Sequence, residues 1–429
     1  MNKFITTTVE EVAENFDNIR VPLSSKQRKD LAKIFPYYGA QSIIDYVDDF
    51  LFDGEYILVA EDGENLKSQN SNVCNLVNGK FWVNNHAHII KGKDGNNTKY
   101  LCYYLNLMNF KPFVTGSAQP KLTKDNLNSI PLKIHNKLEQ KQIAKVLSDL
   151  DAKIEINNKI NQELEAMAKT IYDYWFVQFD FPDANGKPYK SSGGQLVYNE
   201  VLKREIPEGW SCNLLGNLGN FKNGVNYDPS NPGEIACPII NVRNISKSSY
   251  FLKNEDLDII YLSKNDVRKY AVHKGSIIIA RSGIPGATRL IADFEENTLY
   301  CGFAIHYELE DLDQKNPIFF YLKSIEELIK NGSGGTILKN VNQATLNNLK
   351  IVLPKTKEII ESFNKNINPI FSKINLIQKE NQKLSELRDW LLPMLMNGQV
   401  SITNKELPIT NVKEQLGMVA EDGEVYNKF

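Results

Sequence analysis

Three features of the sequence predict an α+β fold built as a pseudo-two-fold duplication, two tandem mixed globular domains each followed by a long helix. A heptad stripe of apolar residues runs through 138–176, and a second runs through 360–395. Apolar and glycine-turn phrases also recur at offsets of about 217–221 residues. Self-similarity at that scale marks a repeated structural unit.

The first domain carries the strand signals "EYILVA" and "KFWVNNHAHII", the helix signal "YLCYYLNLMNF", and turns at Tyr38-Gly39 and Asp62-Gly63. The first stripe follows, through Ile143, Leu147, Leu150, Ile154, Asn157, Asn161, Leu164, Ala168, Ile171 and Trp175. Five repeats of alternating four- and three-residue steps predict a coiled coil, with Pro131 before it and Pro182 after it as breakers. Next comes "FDFPDANGKPYKSSGGQLVYNEVLKREIPEGW", rich in Pro, Gly and Ser, which predicts an exposed, partly extended connector.

The second domain repeats the composition with "CPIINV", "SIIIA", a turn at Asn223-Gly224 and the helix "IFFYLKSIEELIKN". "GEYILVAEDG" at Gly54 answers "GSIIIARSG" at Gly275, and "YYLN" at Tyr103 answers "FYLKS" at Phe320. The second stripe runs Ile360, Phe363, Ile367, Ile370, Ile374, Ile377, Asn381, Leu384, Leu387, Leu391 and Leu395, with Pro393 and Gly398 marking its finish. Neither copy shows the βαβ rhythm of a nucleotide-binding fold. The expected boundaries are 1–131 for the first domain, 132–180 for the first helix and 181–206 for the connector. The second domain takes 207–353, the second helix 354–400, and a polar tail 401–429.

Each stripe has asparagine near its middle: Asn157 and Asn161 in the first, Asn381 in the second. A seam amide lowers stability but rejects slipped registers, because only the correct alignment pairs it. The two helices are therefore expected to pair with each other. A homodimeric zipper, or two helices covering separate cores, stays open at this point.

Composition narrows the class. Hydrophobic content of 42% and charged content of 24% describe an ordinary globular protein. The amino terminus lacks the order of a secretory signal, and no apolar run is long enough for a membrane span. Five scattered cysteines predict reduced thiols in the cytoplasm, with neither a disulfide framework nor a zinc site. Net charge of −2 gives no bulk-charge support for nucleic-acid binding, so any such contact has to come from local clusters.

Catalytic and cofactor motifs are not recognisable, and no cofactor or metal is expected. Neither G-x-x-x-x-G-K-[ST] nor a strand-linked G-x-G-x-x-G occurs. "NGSGGT" at Asn331 reads as a helix end and turn, and "NPIFFY" as Asn316 capping a helix with Pro317 at its first position. His86 and His88 share an expected exposed strand face with Asn84 but lack further ligands for a metal. What remains is polar loops. In the first copy these offer Ser24, Lys26, Gln27, Arg28, Tyr37, Tyr38, Gln119, Lys121 and Lys124. In the second they offer Lys222, Asn226, Tyr227, Arg243, Arg281, Arg289 and Lys339. Arg and Gln suit base edges, and Lys, Ser and Tyr suit phosphates.

The phrases "LEQKQIAKVLSDLDAKIEINNKINQELEAMAKTIYDYWFVQFDFP", "ANGKPYKSSGG", "REIPEGW" and "LRDWLLPMLMNGQV" resemble the specificity (S) subunits of type I restriction–modification systems. The resemblance covers nearly the whole chain to about Val400. It implies that each globular copy is a target recognition domain reading one half of a split, asymmetric site on double-stranded DNA. It implies an antiparallel coiled coil that sets the spacing and docks two modification (methyltransferase) subunits. Restriction subunits with an ATP-driven nuclease would complete the complex, and methyl transfer would belong to the partners, leaving this chain non-catalytic. One departure stands out: the first copy lacks the Ile206–Trp210 lead-in, so its opening element is expected to be shorter or differently held. The rival readings are a coiled-coil scaffold that does not bind DNA and a self-sufficient DNA methyltransferase.

Overall fold

The computed structural model describes residues 4–68, 71–116, 120–227, 233–254, 256–292, 294–331 and 341–402. The chain forms two compact units. One holds the residues up to Lys153 together with those from Leu384 onward, and the other holds Ile154–Lys383.

In the first unit Phe4–Thr8 pairs antiparallel with Pro131–His135, placing Phe4 opposite His135. A four-stranded antiparallel sheet runs in the order Ala13–Asn15, Ala87–Gly92, Tyr56–Ala60, Cys74–Val77. The run Ile57–Ala60 is buried on both faces, which is why it reads as continuous apolar sequence instead of alternating. A second sheet has the order Ile43–Val47, Phe35–Tyr38, Lys80–Val83, Phe52–Asp53, and its middle pair is parallel. The helix Thr98–Asn106 starts where the Asn97 side chain accepts from the Tyr100 amide at 2.9 Å.

The second unit repeats this topology. Trp210–Leu214 pairs with Lys350–Pro354, and the larger sheet runs Gly219–Asn223, Ala304–Leu309, Ile277–Ala280, Thr288–Leu290. The smaller sheet runs Asp258–Leu262, Ile235–Ile240, Leu299–Tyr300, again with one parallel pair. The opening strand of the first copy is thus five residues long, like its counterpart, and has the equivalent partner. The expectation of a shorter or differently held element is corrected: "FITTT" supplies the same five-residue strand without the Ile-Pro-Glu-Gly-Trp phrase.

The long helices span Lys137–Tyr172 and Lys357–Met396. In the second unit Asn157 bonds Asn381, and Tyr172 lies 6.4 Å from Phe363, so the helices run antiparallel. In the first unit Arg388 bonds Asp151 at 2.8 Å, while Ile143 and Leu147 share a core with Leu395. The pairing is intramolecular within each unit, which removes the zipper alternative for these residues. Leu387 is 43% exposed and leaves the expected seam, whereas Phe371, outside the expected stripe, is buried. Pro369 lies inside the second helix, and Pro393 within its last turn. The stop comes at Gly398, whose φ of +68° suits a residue without Cβ and whose amide reaches Leu395 O at 3.1 Å.

The first helix ends in a π-helical turn, Asp173–Val177. That turn carries an extra residue, so the adjacent Trp175 and Phe176 both enter the core. The connector is largely exposed and partly extended, with its two strands paired to each other. Leu196–Asn199 and Arg204–Pro207 form a hairpin, and Phe181 stacks between Tyr189 (4.7 Å) and Trp210 (5.1 Å). Asn316 does not cap its helix: its amide reaches Asn364 and Asn368 on the second long helix at 2.9 and 2.8 Å. Among the described residues, no helix is long and apolar enough to cross a membrane.

Candidate nucleic-acid interface

The first-copy loop "PLSSKQRKD" is largely occupied with its own structure. Ser24 caps the turn Ser25–Arg28 and exchanges hydrogen bonds with Gln27. Arg28 pairs with Asp45 at 2.6 Å and lies over the Tyr37 ring. Tyr37 is 1% exposed, with its hydroxyl on the Leu23 backbone, so it has no face to offer a ligand. Tyr38 is half-buried against Phe81, and burial, then Tyr46, pushes its hydroxyl up. Lys26, Lys121 and Lys124 are exposed. Gln119 and Lys339 lie outside the described residues, as does the tail from residue 403.

The fold does gather one polar cluster at a loop end of this copy. His86 Nδ1 meets Asp62 at 2.6 Å, and Glu61 takes Arg20 at 2.7 Å and Lys121 at 3.2 Å. Burial alone would raise the Glu61 carboxyl, but Arg20, His88 and Lys121 outweigh it and hold it low. His88 does not share the exposed face expected for it. It is buried, with Nδ1 on Asp17 at 2.6 Å and Nε2 on Leu122 O at 2.8 Å. Asn84 is buried as well.

In the second copy, Asn226, Arg281 and Phe303 meet around Gly302. Arg281 donates to Gly302 O at 3.3 Å, and Asn226 lies so close that a Cβ on Gly302 would fall 1.9 Å from its Oδ1. Phe303 is 64% exposed beside them. Tyr227 is exposed, and Arg243 and Lys222 are exposed but paired with Asp258 and Glu308. Arg289 is a correction: it is 4% exposed and bonds Ile245 O, Ser248 O, Thr288 O and Glu326, so it braces the core.

The two clusters occupy the same place on the repeated scaffold. Ala60 pairs with Ala87 as Ala280 pairs with Ala304. The next amide then bonds across the loop end in each copy, Glu61 N to His86 O and Arg281 N to Phe303 O, both at 2.9 Å. Glu61 thus corresponds to Arg281, and His86 to Phe303. Sequence reading missed Phe303. Its signal was an aromatic between Gly302 and the buried strand "AIHYEL", 217 residues after His86.

On the helices, Asn157 donates to Asn381 Oδ1 at 2.8 Å and to Glu380 at 3.0 Å, and Asn381 donates to Asn158 at 2.9 Å. Asn161 is buried, but among the described residues its Oδ1 has no partner.

A duplicated α+β scaffold with helix pairing inside each unit and unlike loop ends defines an internally repeated protein. Its sequence matches the family described as "Type I restriction modification DNA specificity domain" twice, over residues 1–166 and 207–388. The chain belongs to the family of type I restriction–modification specificity subunits. It is 30% identical to a putative type I restriction enzyme specificity subunit of Haemophilus influenzae over 386 residues, covering 88% of this chain and 92% of that one. It is 27% identical to the MjaIX specificity subunit of Methanocaldococcus jannaschii, covering 72% and 71%. The crystal structure of a type I S subunit from M. genitalium shares the fold, with a TM-score of 0.56 at 16% identity over 93% of this chain and 97% of that one.

Proposed function

We propose that the chain is the DNA-reading, non-catalytic subunit of a type I restriction–modification complex. In this reading residues 1–131 and 207–353 each recognise one half of a bipartite site on double-stranded DNA. The observation that carries it is the pair of equivalent loop ends: one scaffold presents Glu61, His86 and Lys121 in one copy and Arg281, Phe303 and Asn226 in the other. Like scaffolds with unlike polar tips read unlike sequences, since base edges are distinguished by the donors and acceptors set against them.

The helix pair would set the spacing and dock two modification subunits, with restriction subunits completing the complex. Its solvent faces support docking. Ile156, Ile160 and Met167 are exposed at steps of four and seven on the first helix, and Leu376 on the second. An apolar stripe at that spacing outside the seam suits further helices. With 50 basic and 52 acidic residues the chain has little general attraction for phosphates, so the partners would supply much of that grip. Methyl transfer from S-adenosylmethionine would also belong to them.

The test is selection from random double-stranded DNA with the purified chain, alone and with modification subunits. A motif in two parts separated by an unspecified gap is expected. Incubation of the chain alone with labelled S-adenosylmethionine and the selected DNA is expected to give no transfer. A chain that selects no DNA in either setting is a scaffold, and one that transfers methyl groups alone is an enzyme.

A further inference from the structure

We infer that Phe303, with Arg281 and Asn226, is the base-reading tip of the second copy, and that Phe303 recognises the C5-methyl group of a thymine. The inference rests on the DNA-reading function proposed above and goes beyond it by naming the residues and the chemical group.

Phe303 is the anomaly that starts the argument. A large ring 64% exposed at a loop end, on a domain whose other aromatics are mostly interior, contributes little to the core. Its backbone carbonyl is nevertheless fixed by the Arg281 amide at 2.9 Å, so its position is held by the edge of a buried sheet. Arg281 is likewise oriented by its 3.3 Å bond to Gly302 O, which among the described residues leaves most of its guanidinium donors available. Asn226, exposed, lies against Gly302, leaving no room there for a side chain on residue 302. A tip carrying a guanidinium, an amide and an apolar ring fits major-groove edges. Arginine pairs with guanine O6 and N7, asparagine with adenine N6 and N7, and an apolar face contacts the thymine methyl.

The first copy shows what the same place looks like with different chemistry. His86 stands where Phe303 stands, and Glu61 where Arg281 stands. Glu61 is taken up by Arg20 and Lys121, and His86 by Asp62. A methyl-seeking ring is therefore confined to the second reader, and only one half of the motif should depend on it.

The experiment uses the full chain and the DNA selected by it. Phe303→Ala and Arg281→Ala should each blur one and the same half of the motif and leave the other half intact. Replacing each thymine of that half in turn by uracil removes only the methyl group. At one position uracil should weaken wild-type binding several-fold, while Phe303→Ala should bind thymine and uracil DNA equally, at the weakened level. Phe303→Leu, which keeps an apolar face, should retain part of the discrimination. Thermal melts of all three variants should match wild type, because the altered side chains lie outside the core. A wild-type two-part motif that survives Phe303→Ala unchanged, or a uracil effect that persists in Phe303→Ala, overturns the inference while leaving the proposed function standing. A wild-type chain that selects no motif removes the function and this inference together.

Discussion

Asn157 donates its side-chain amide to Asn381 Oδ1 at 2.8 Å across the antiparallel helices, closing a seam pair within one chain. The duplication maps this contact, 220 residues on, to Ile377 and Asn161. In that mapping Asn161 takes the place of Asn381 and Ile377 that of Asn157, so the repeated position carries no second amide, and among the described residues Asn161 Oδ1 has no partner.

Asn157→Leu should lower stability by about 1–3 kcal/mol, since it strips Asn381 Oδ1 of its donor in a part-buried seam. Asn161→Leu should do the opposite, raising the melting temperature by a few degrees, because the carbonyl it removes has no partner among the described residues. Urea and thermal melts of the two variants give the comparison. Equal destabilisation by both would show that Asn161 has a role its geometry does not reveal.

Glu326 governs a pH dependence in the second unit. Burial alone would raise its carboxyl, but Lys323 and Arg289 outweigh that and hold it at about 2, against an ordinary value of 4.5. A depressed carboxyl contributes stability above its unfolded pKa and loses it as pH falls through the folded one. Glu326→Gln should therefore be strongly destabilised at pH 7 relative to wild type, with the gap closing between about pH 4.5 and 2. Arg289→Ala, which leaves that carboxylate without its guanidinium, should lose about 3–5 kcal/mol at pH 7. Denaturant titrations at pH 7, 4 and 3 measure both.

Glu165 has the opposite sign. Burial pushes its carboxyl up, only partly offset by the Ser249 hydroxyl and the Tyr250 amide. A raised carboxyl favours the folded state at low pH, and that advantage is lost as pH rises from the unfolded pKa through the folded one. Glu165→Gln keeps an acceptor for Ser249 and removes the buried charge. It should be neutral or stabilising at pH 7 and lose any advantage toward pH 4, read from the same titrations.

What the sequence disclosed and what it withheld divide along a physical line. Local periodicity was legible: the heptad seam placed Ile143, Leu147, Asn157 and Trp175, and the recurring phrases located the duplicated strands. Long-range pairing was not. Nothing near Arg289 announces Glu326, 37 residues on, so a core brace looked like a loop cation. Tyr37 stands before a glycine turn, yet its hydroxyl is claimed by Leu23, 14 residues earlier. In the connector the stack of Phe181 on Trp210 was not legible, because it joins residues whose contact is set only by the fold. Sequence alone gave Phe303 no prominence, since exposure is a property of the folded surface.

The spacing role assigned to the helices makes the most direct prediction. Inserting one heptad into each helix, beside Asn157 and beside Asn381, keeps the a/d seam continuous and the helices facing each other. Seven residues at 1.5 Å each add about 10 Å, close to the rise of three base pairs. If the pair acts as a ruler, the two half-motifs should be selected unchanged while the gap between them lengthens by about that number. A single-helix insertion should instead disrupt the seam, placing Asn157 off register from Asn381, and lower stability before it alters any gap. Selection with the doubly extended chain that returned the original gap would refute the ruler while leaving the two readers in place, because neither loop end is touched by the insertion.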